Sequence, residues 1–185
     1  MATAQSLARA VPRWTRPNLL WSLSEAGQHA DAIRIGEQGL ALGRYDATPA
    51  LMNNLAWLYL DLERLAEAEA LYRSLCDEAD PTIRCFAWAK RVDIGARRGD
   101  RVAVDHAIEH ALASLDTTDL YRAHAVVIIA TLEHGKPDAV RRAAQRLRNQ
   151  PVDPFLQRRL DMLVARHGLD MAHSSKRPAG YKADH

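Results

Sequence analysis

Cysteine is scarce in this sequence, and its scarcity excludes two kinds of small stabilised domain. The 185 residues contain only two cysteines, Cys76 and Cys85. Two cysteines cannot build a disulfide framework, and they cannot by themselves supply the four ligands of a structural zinc site. Cys76 lies on an apolar stripe, where it is expected to be a small core residue. The cysteine content favours a reducing compartment, and we expect a cytoplasmic protein.

Long apolar runs and secretion signals are also missing. The longest apolar run covers residues 125–132, far short of the roughly 20 residues that cross a bilayer. Residues 1–12 lack the apolar segment of a signal peptide, and they are expected to form a lead-in helix or a flexible segment. No association with a membrane is therefore expected.

Glycine, proline and aromatic residues are few, and this composition favours helices. The chain has 9 glycines, 8 prolines and 6% aromatic residues, whereas its segments are rich in Ala, Leu and Arg, which form helices readily. A hydrophobic fraction of 48% suffices for a core and excludes a disordered chain. The excess of arginine over lysine and the Ala-rich helices are typical of a bacterial protein.

The net charge is small and gives no indication of a nucleic-acid partner. The formal net charge is +2, although residues 141–185 contain ten Lys or Arg against four Asp or Glu. No aromatic side chains alternate with the arginines of residues 141–148, so stacking on single-stranded nucleic acid is unsupported. A solvated helix face accounts for this basic strip, and nucleic acid is not an expected partner.

An internal repeat is marked by three glycines. Gly99 and Gly135 are 36 residues apart, Gly27 and Gly99 are separated by twice that distance, and Glu63 takes the position between them. Four further columns at this period contain only small or apolar residues: Leu20, Ala56, Val92 and Ile128; Ala32, Ala68, Val104 and Val140; Gly36, Tyr72, Ile108 and Ala144; Gly39, Leu75, Ala111 and Leu147. Each repeat is predicted to be a helix, a turn and a helix. Because one helix pair cannot bury its apolar face, neighbouring pairs must stack.

The turns and the end of the chain support the same helical pattern. Glycine suits the left-handed residue that ends a helix, and Pro137 can begin the next helix because its missing N–H costs nothing there. Residues 155–167 are predicted to form a capping helix with an apolar side and a charged side. Residues 168–185 are polar and are expected to be a disordered tail.

The second repeat resembles the tetratricopeptide repeat (TPR) family. Its signature positions are matched by Leu55, Ala56, Tyr59, Ala68, Tyr72 and Pro81. The first repeat matches with Leu19, Leu20, Gly27, Ala32 and Leu40, whereas the third and fourth repeats depart at Arg91, Gly95 and Thr131. The resemblance covers about residues 13–150. It implies an all-α fold, a right-handed α-solenoid of about four helix-turn-helix repeats of period 36, which with its capping helix would span residues 13–167.

The resemblance also implies a protein–protein interaction scaffold, such as an adaptor or regulatory module, rather than an enzyme. The first helices of such a solenoid line a concave groove, and a peptide or protein partner would bind there. Matching the family's inward columns gives these partner-binding residues: Asn18, Trp21, Asn53, Asn54, Trp57, Asp61, Lys90, Asp93, Arg97 and Arg122. Ile129 and Glu133 are expected on the same face.

Trp21 and Trp57 occupy the same column in adjacent repeats. They are expected either to form an exposed binding anchor or to be packed, on the N-terminal helix or on each other. Some TPR domains bind chaperone carboxylates through a Lys, Asn and Arg clamp, of which only Asn54 and Lys90 are present in suitable columns. A peptide of mixed apolar and charged character is therefore the expected ligand.

Two other functions stay open. Short solenoids expose apolar ends, so the chain could be a self-assembling, homo-oligomeric module. His106, Glu109 and His110 match the H-x-x-E-H motif of a zinc-dependent hydrolase. However, Ile108 and Ala111 are the inward residues of this helix and turn both histidines towards solvent. No third ligand is evident, so neither metal, nor cofactor, nor catalysis is expected.

Overall fold

Helices supply all the regular structure in the described part of the protein. The computed structural model describes residues 16–41, 48–78, 80–115, 121–147 and 154–169, and within these ranges no strand occurs. The all-α class expected from the composition is thus confirmed. None of the described helices is both long and apolar enough to cross a membrane. The predicted lead-in segment and nearly all of the predicted tail lie outside the described residues.

The chain divides into two compact units, residues 1–79 and residues 80–185. The helices of the first unit are α1 (Arg16–Glu25), α2 (His29–Ala41), α3 (Thr48–Asp61) and α4 (Leu65–Leu75). Helix α3 contacts each of the other three, and α1 also packs on α2. The core of this unit is built from large buried side chains, including Leu20, Leu55, Leu58, Tyr72 and Leu75.

The second unit contains five helices among its described residues. These are α5 (Pro81–Arg97), α6 (Arg101–Ser114), α7 (Tyr121–His134), α8 (Pro137–Leu147) and α9 (Pro154–Arg166). Helix α7 contacts all four of the others, because it is apolar almost all round. Its buried side chains join one continuous core with residues of the neighbouring helices, including Val92, Ile108, Ile128, Leu132 and Leu160.

Three of the described turns between helices share one backbone geometry. Gly27, Glu63 and Gly99 follow α1, α3 and α5 and have φ values of 72°, 58° and 68°. After each, the next residue donates its N–H to the carbonyl oxygen five residues earlier, at 2.9, 2.8 and 2.9 Å, which is the Schellman arrangement that ends helices. The glycine prediction holds at Gly27 and Gly99, and Glu63 adopts the same conformation without being glycine.

The left-handed conformation expected at Gly135 is wrong. Its φ is not positive, and a Cβ there would lie 2.4 Å from the carbonyl oxygen of Thr131. The Gly135 N–H donates to that same oxygen at 2.7 Å. Close approach of the backbone, and not a positive φ, is therefore the reason for glycine at this position.

The 36-residue period is visible in the helix bounds and in the burial. The second helix of each pair begins at His29, Leu65, Arg101 or Pro137, each 36 residues after the one before. The described positions in the four apolar columns are all buried except Gly39, which is half-buried. The side chain of Leu147 lies outside the described part.

The departures at Gly95 and Thr131 have local explanations. A Cβ on Gly95 would lie 3.0 Å from a methyl group of Val104, so glycine lets α5 approach α6 closely. Thr131 is completely buried, and its hydroxyl donates to the carbonyl oxygen of Val127 at 2.8 Å. Both positions are in the column of Tyr59, so one column is filled in three different ways.

Candidate interaction surfaces

Two tryptophans form the most prominent aromatic feature of the first unit. The ring centroids of Trp21 on α1 and Trp57 on α3 are 4.8 Å apart, with the ring planes inclined at 36°. Trp21 remains 47% exposed, while Trp57 is half-buried. Packing of α1 on α3 brings the two rings of the shared column together. They pack on each other, as one interpretation held, and Trp21 still presents a large aromatic surface.

Polar side chains surround the tryptophan pair on α3. Asn53, Asn54 and Asp61 lie four and three residues before Trp57 and four residues after it, so they share its side of the helix. Both asparagines are half-buried, Asp61 is exposed, and the Asn53 amide donates to the Asn54 side-chain oxygen at 3.5 Å. We call Trp21, Asn53, Asn54, Trp57 and Asp61 the tryptophan face. It offers one apolar contact bordered by hydrogen-bonding groups.

The predicted residues of the second compact unit lie in a series of ion pairs and polar contacts, which we call the charge chain, and are not all open to a partner. The Lys90 ammonium lies 3.5 Å from Asp93, and the Nε2 atom of His134 lies 3.9 Å from Asp93. Glu133 on α7 accepts two hydrogen bonds from Arg159 on α9, at 2.9 and 2.6 Å. These pairs link α5, α7 and α9 on one side of the unit.

The remaining predicted groove residues have different outcomes. Arg97 is exposed at the end of α5. Ile129 is not on the predicted face but buried, with 6% exposure, because it joins the core of α7. The side chains of Asn18 and Arg122 lie outside the described part of the structure.

One group of possible metal ligands occurs among the described residues. One donor atom each from Asp93, Glu133 and His134 lie within 4.8 Å of one another. Lys90 and Arg159 already neutralise the two carboxylates. A cation would have to compete with these two side chains, so the group is explained as part of the charge chain.

The histidines of the H-x-x-E-H motif pack on an aromatic ring at the surface. Both are exposed, while Ile108 and Ala111 are buried, as the repeat register predicted. The His110 ring stacks on Trp88 with centroids 4.3 Å apart and planes at 12°, and His106 lies 5.7 Å from the same ring. Partial desolvation of the stacked ring, the neighbouring His106 and Arg91 all lower the pKa of His110. The neutral imidazole is therefore favoured.

Glu109, the third residue of that motif, is engaged elsewhere. Arg142 on α8 binds both of its carboxylate oxygens, with one contact of 2.9 Å. The hydrogen bond with this guanidinium lowers the pKa of Glu109. Across the described ranges no third ligand side chain joins His106 and His110. The motif thus corresponds to a surface packing cluster in which Glu109 makes an ion pair between helices.

Neither cysteine is placed for nucleophilic chemistry. Cys76 and Cys85 form no disulfide and are buried, which confirms the core position expected for Cys76. Burial raises the pKa of the Cys85 thiol to about 11, so the thiolate is disfavoured at neutral pH.

The groove between α7 and α9 was missed at the sequence level. It has a volume of about 480 Å³ and is lined by Glu133, Arg158, Arg159, Met162, Leu163 and Arg166. Met162 is 59% exposed. The charged side of α9 was predicted from the sequence. The groove itself forms only where α9 packs against α7, and α8 separates these two helices in the chain.

Comparison with known proteins adds no relative. No protein-family model, curated protein sequence or solved structure is significantly similar to this chain. Function must therefore be inferred from the side chains themselves.

Proposed function

We propose that the chain is a TPR-like helical-repeat protein that binds a peptide or a segment of another protein through the tryptophan face. Within each unit, the spacing of the second helices, the recurring left-handed turns and the buried columns support a repeat architecture. A solenoid of about four such pairs, capped by α9, follows from this proposal. It would act by binding alone, without a cofactor.

The exposed ring of Trp21 is the observation that carries the proposal. A tryptophan that is 47% exposed leaves a large apolar area in water, and such residues are enriched among the energetic centres of interfaces. Its contact with Trp57 holds the ring in place, so little conformational entropy is lost when a partner binds.

The composition of the tryptophan face indicates the kind of ligand. An apolar side chain of the partner would pack on Trp21, while the amides of Asn53 and Asn54 would hydrogen-bond to its backbone or polar groups. Asp61 would favour a cation nearby. A peptide of mixed apolar and basic or neutral polar character fits these groups better than an acidic one.

The proposal is tested by capturing partners from native lysate with the wild-type protein and with a Trp21→Ala, Trp57→Ala variant. We expect a partner that the wild type retains and the variant loses. Trp21→Ser alone serves as a second variant, because Trp57 is half-buried and its removal affects packing. Circular dichroism establishes that helical content is unchanged.

Val102→Ser is the matched control. Val102 is 80% exposed on α6, so this variant also removes apolar surface, but from the second compact unit. A partner retained equally by all variants would contradict the proposal. Retention of only a second copy of the chain would replace it with self-assembly.

A further inference from the structure

The outward side of α9 carries three arginines around one exposed methionine. Arg158, Met162 and Arg166 follow at intervals of four residues, and Arg159 lies beside them. With 3.6 residues per turn, the four side chains fall within an arc of about 100°. The one acid of α9, Asp161, lies outside this arc. We call these four residues the arginine–methionine arc.

The arc borders the groove between α7 and α9, which combines apolar and cationic walls. Leu163 is buried and lines the groove beside the exposed Met162, so an apolar side chain can be covered there. The groove has a volume of about 480 Å³ and is open to solvent, so it can hold a large side chain but does not enclose a small molecule. Methionine is flexible and polarizable, and it adapts to side chains of different shapes.

The charges of the arc are only partly neutralised. Glu133 accepts two hydrogen bonds from Arg159. Arg158 and Arg166 are exposed, and within the described residues neither makes an ion pair or a hydrogen bond. Two guanidinium groups on either side of Met162 therefore stay available to carboxylates, which they can bind in bidentate geometry.

We propose that this groove binds an acidic segment of another protein that carries at least one large apolar side chain. The apolar side chain would pack on Met162 and Leu163, and flanking carboxylates would pair with Arg158 and Arg166. Residues 1–15 and residues 170–185 are not acidic: the first stretch contains two arginines and no acid, and the second contains three Lys or Arg and two Asp. The arc belongs to the second compact unit and the tryptophan face to the first, and the two surfaces differ in ligand chemistry.

The test is a titration of ¹⁵N-labelled full-length protein with a short peptide of Asp and Glu around a central Leu-Leu pair. We expect amide shifts in α9 and at Glu133, and weaker binding as salt is raised. Arg158→Gln with Arg166→Gln should weaken binding about tenfold, since two exposed ion pairs are lost. Met162→Ala should weaken it about fivefold, because apolar contact area is lost.

Matched controls separate this site from bulk charge and from the tryptophan face. Arg73→Gln with Arg141→Gln removes the same charge from exposed positions on α4 and α8 and should change affinity by less than about twofold. Trp21→Ala should bind the acidic peptide like the wild type, whatever becomes of capture through the tryptophan face.

Three results would overturn the inference. The first is the absence of shifts in α9, or equal weakening by the control pair. The second is an RNA oligonucleotide that binds the arc more tightly than the peptide and without dependence on Met162. The third is a dimer, seen by sedimentation, that Met162→Ala dissociates and the peptide cannot disrupt.

Discussion

Left-handed residues at the turns differ in energy although they share one geometry. Gly27 and Gly99 adopt positive φ at little cost, and a Cβ at either would touch nothing within 4 Å. Glu63 has the same backbone with φ of 58°, where a side chain crowds the following carbonyl. Conformation, and not space, therefore decides what these positions tolerate.

Exchanging the residues at two of these turns should shift stability in opposite directions. Gly99→Ala should lower the free energy of unfolding by about 1 kcal/mol, and Glu63→Gly should raise it by about 0.5 kcal/mol. Urea unfolding measures both changes in free energy, provided that the slope of the free energy of unfolding against urea concentration is unchanged. A Gly99→Ala variant as stable as the wild type would show that φ at this turn is not constrained.

The buried hydroxyl of Tyr59 should make the stability of the protein depend on pH in the alkaline range. Its hydroxyl donates to Glu37 at 2.6 Å, and burial, followed by the hydrogen bond with Glu37, raises the pKa of Tyr59 from 10.0 to about 12. The folded state thus favours the protonated phenol. The stability from this group is complete below pH 10 and is lost as the pH rises towards 12.

Tyr59→Phe should accordingly remove part of the alkaline loss of stability. Wild type and variant are unfolded in urea at several pH values between 8 and 12. We expect the difference in free energy of unfolding between them to shrink above pH 10. A difference that is constant with pH would mean that the phenol titrates normally in the folded protein.

Single-residue environments were predictable where one helix pair determines them. The buried columns and the turn at Glu63 followed from the period because each position repeats the same local packing. Gly135 was mispredicted, since its need for glycine comes from the approach of the Thr131 carbonyl, which no spacing pattern reveals. Trp21 and Trp57 were assigned a shared column, but the exposure of Trp21 required the packed structure.

At the scale of helices, two ion pairs and one hydrogen bond connect α6 to the pair formed by α7 and α8. Arg101 donates to the carbonyl oxygen of His134 at 2.6 Å, Lys136 pairs with Asp105 at 2.7 Å, and Arg142 binds Glu109. The hydrogen bond with Lys136 lowers the pKa of Asp105. Exposed pairs of this kind contribute little energy each, so they add polar contacts to a helix packing that the apolar core already provides.

A double-mutant cycle on Glu109 and Arg142 should give a small, salt-sensitive coupling. We expect about 0.5 kcal/mol between Glu109→Gln and Arg142→Gln at low salt, and less at high salt. Because the pair depresses the pKa of Glu109, its contribution is lost as the pH falls through that lowered pKa. A coupling near zero at low salt would show that the two side chains are independent in solution.

Partners across elements were the least predictable feature. Glu109 and Arg142 are 33 residues apart, and the sequence indicated only that both are on exposed helix faces. Which exposed side chains meet depends on the rotation and offset of packed helices, and hydrophobic periodicity leaves that rotation uncertain by about one residue. The stacking of His110 on Trp88 was missed for the same reason.

At the scale of the molecule, the two compact units carry two surfaces of different chemistry. The first unit presents an aromatic and polar face around Trp21. The second presents a basic groove around Met162. We therefore propose a different kind of ligand for each surface.

Site-specific photocross-linking at Trp21 tests the central claim most directly. A benzophenone amino acid replaces Trp21 in one variant and Val102, which is 80% exposed on α6, in a matched one; both are irradiated in native lysate and the products identified by mass spectrometry. The account predicts a protein joined at position 21 and absent at position 102. Cross-links of equal kind and yield at both positions, or cross-links at position 21 only to other copies of the chain, would contradict it.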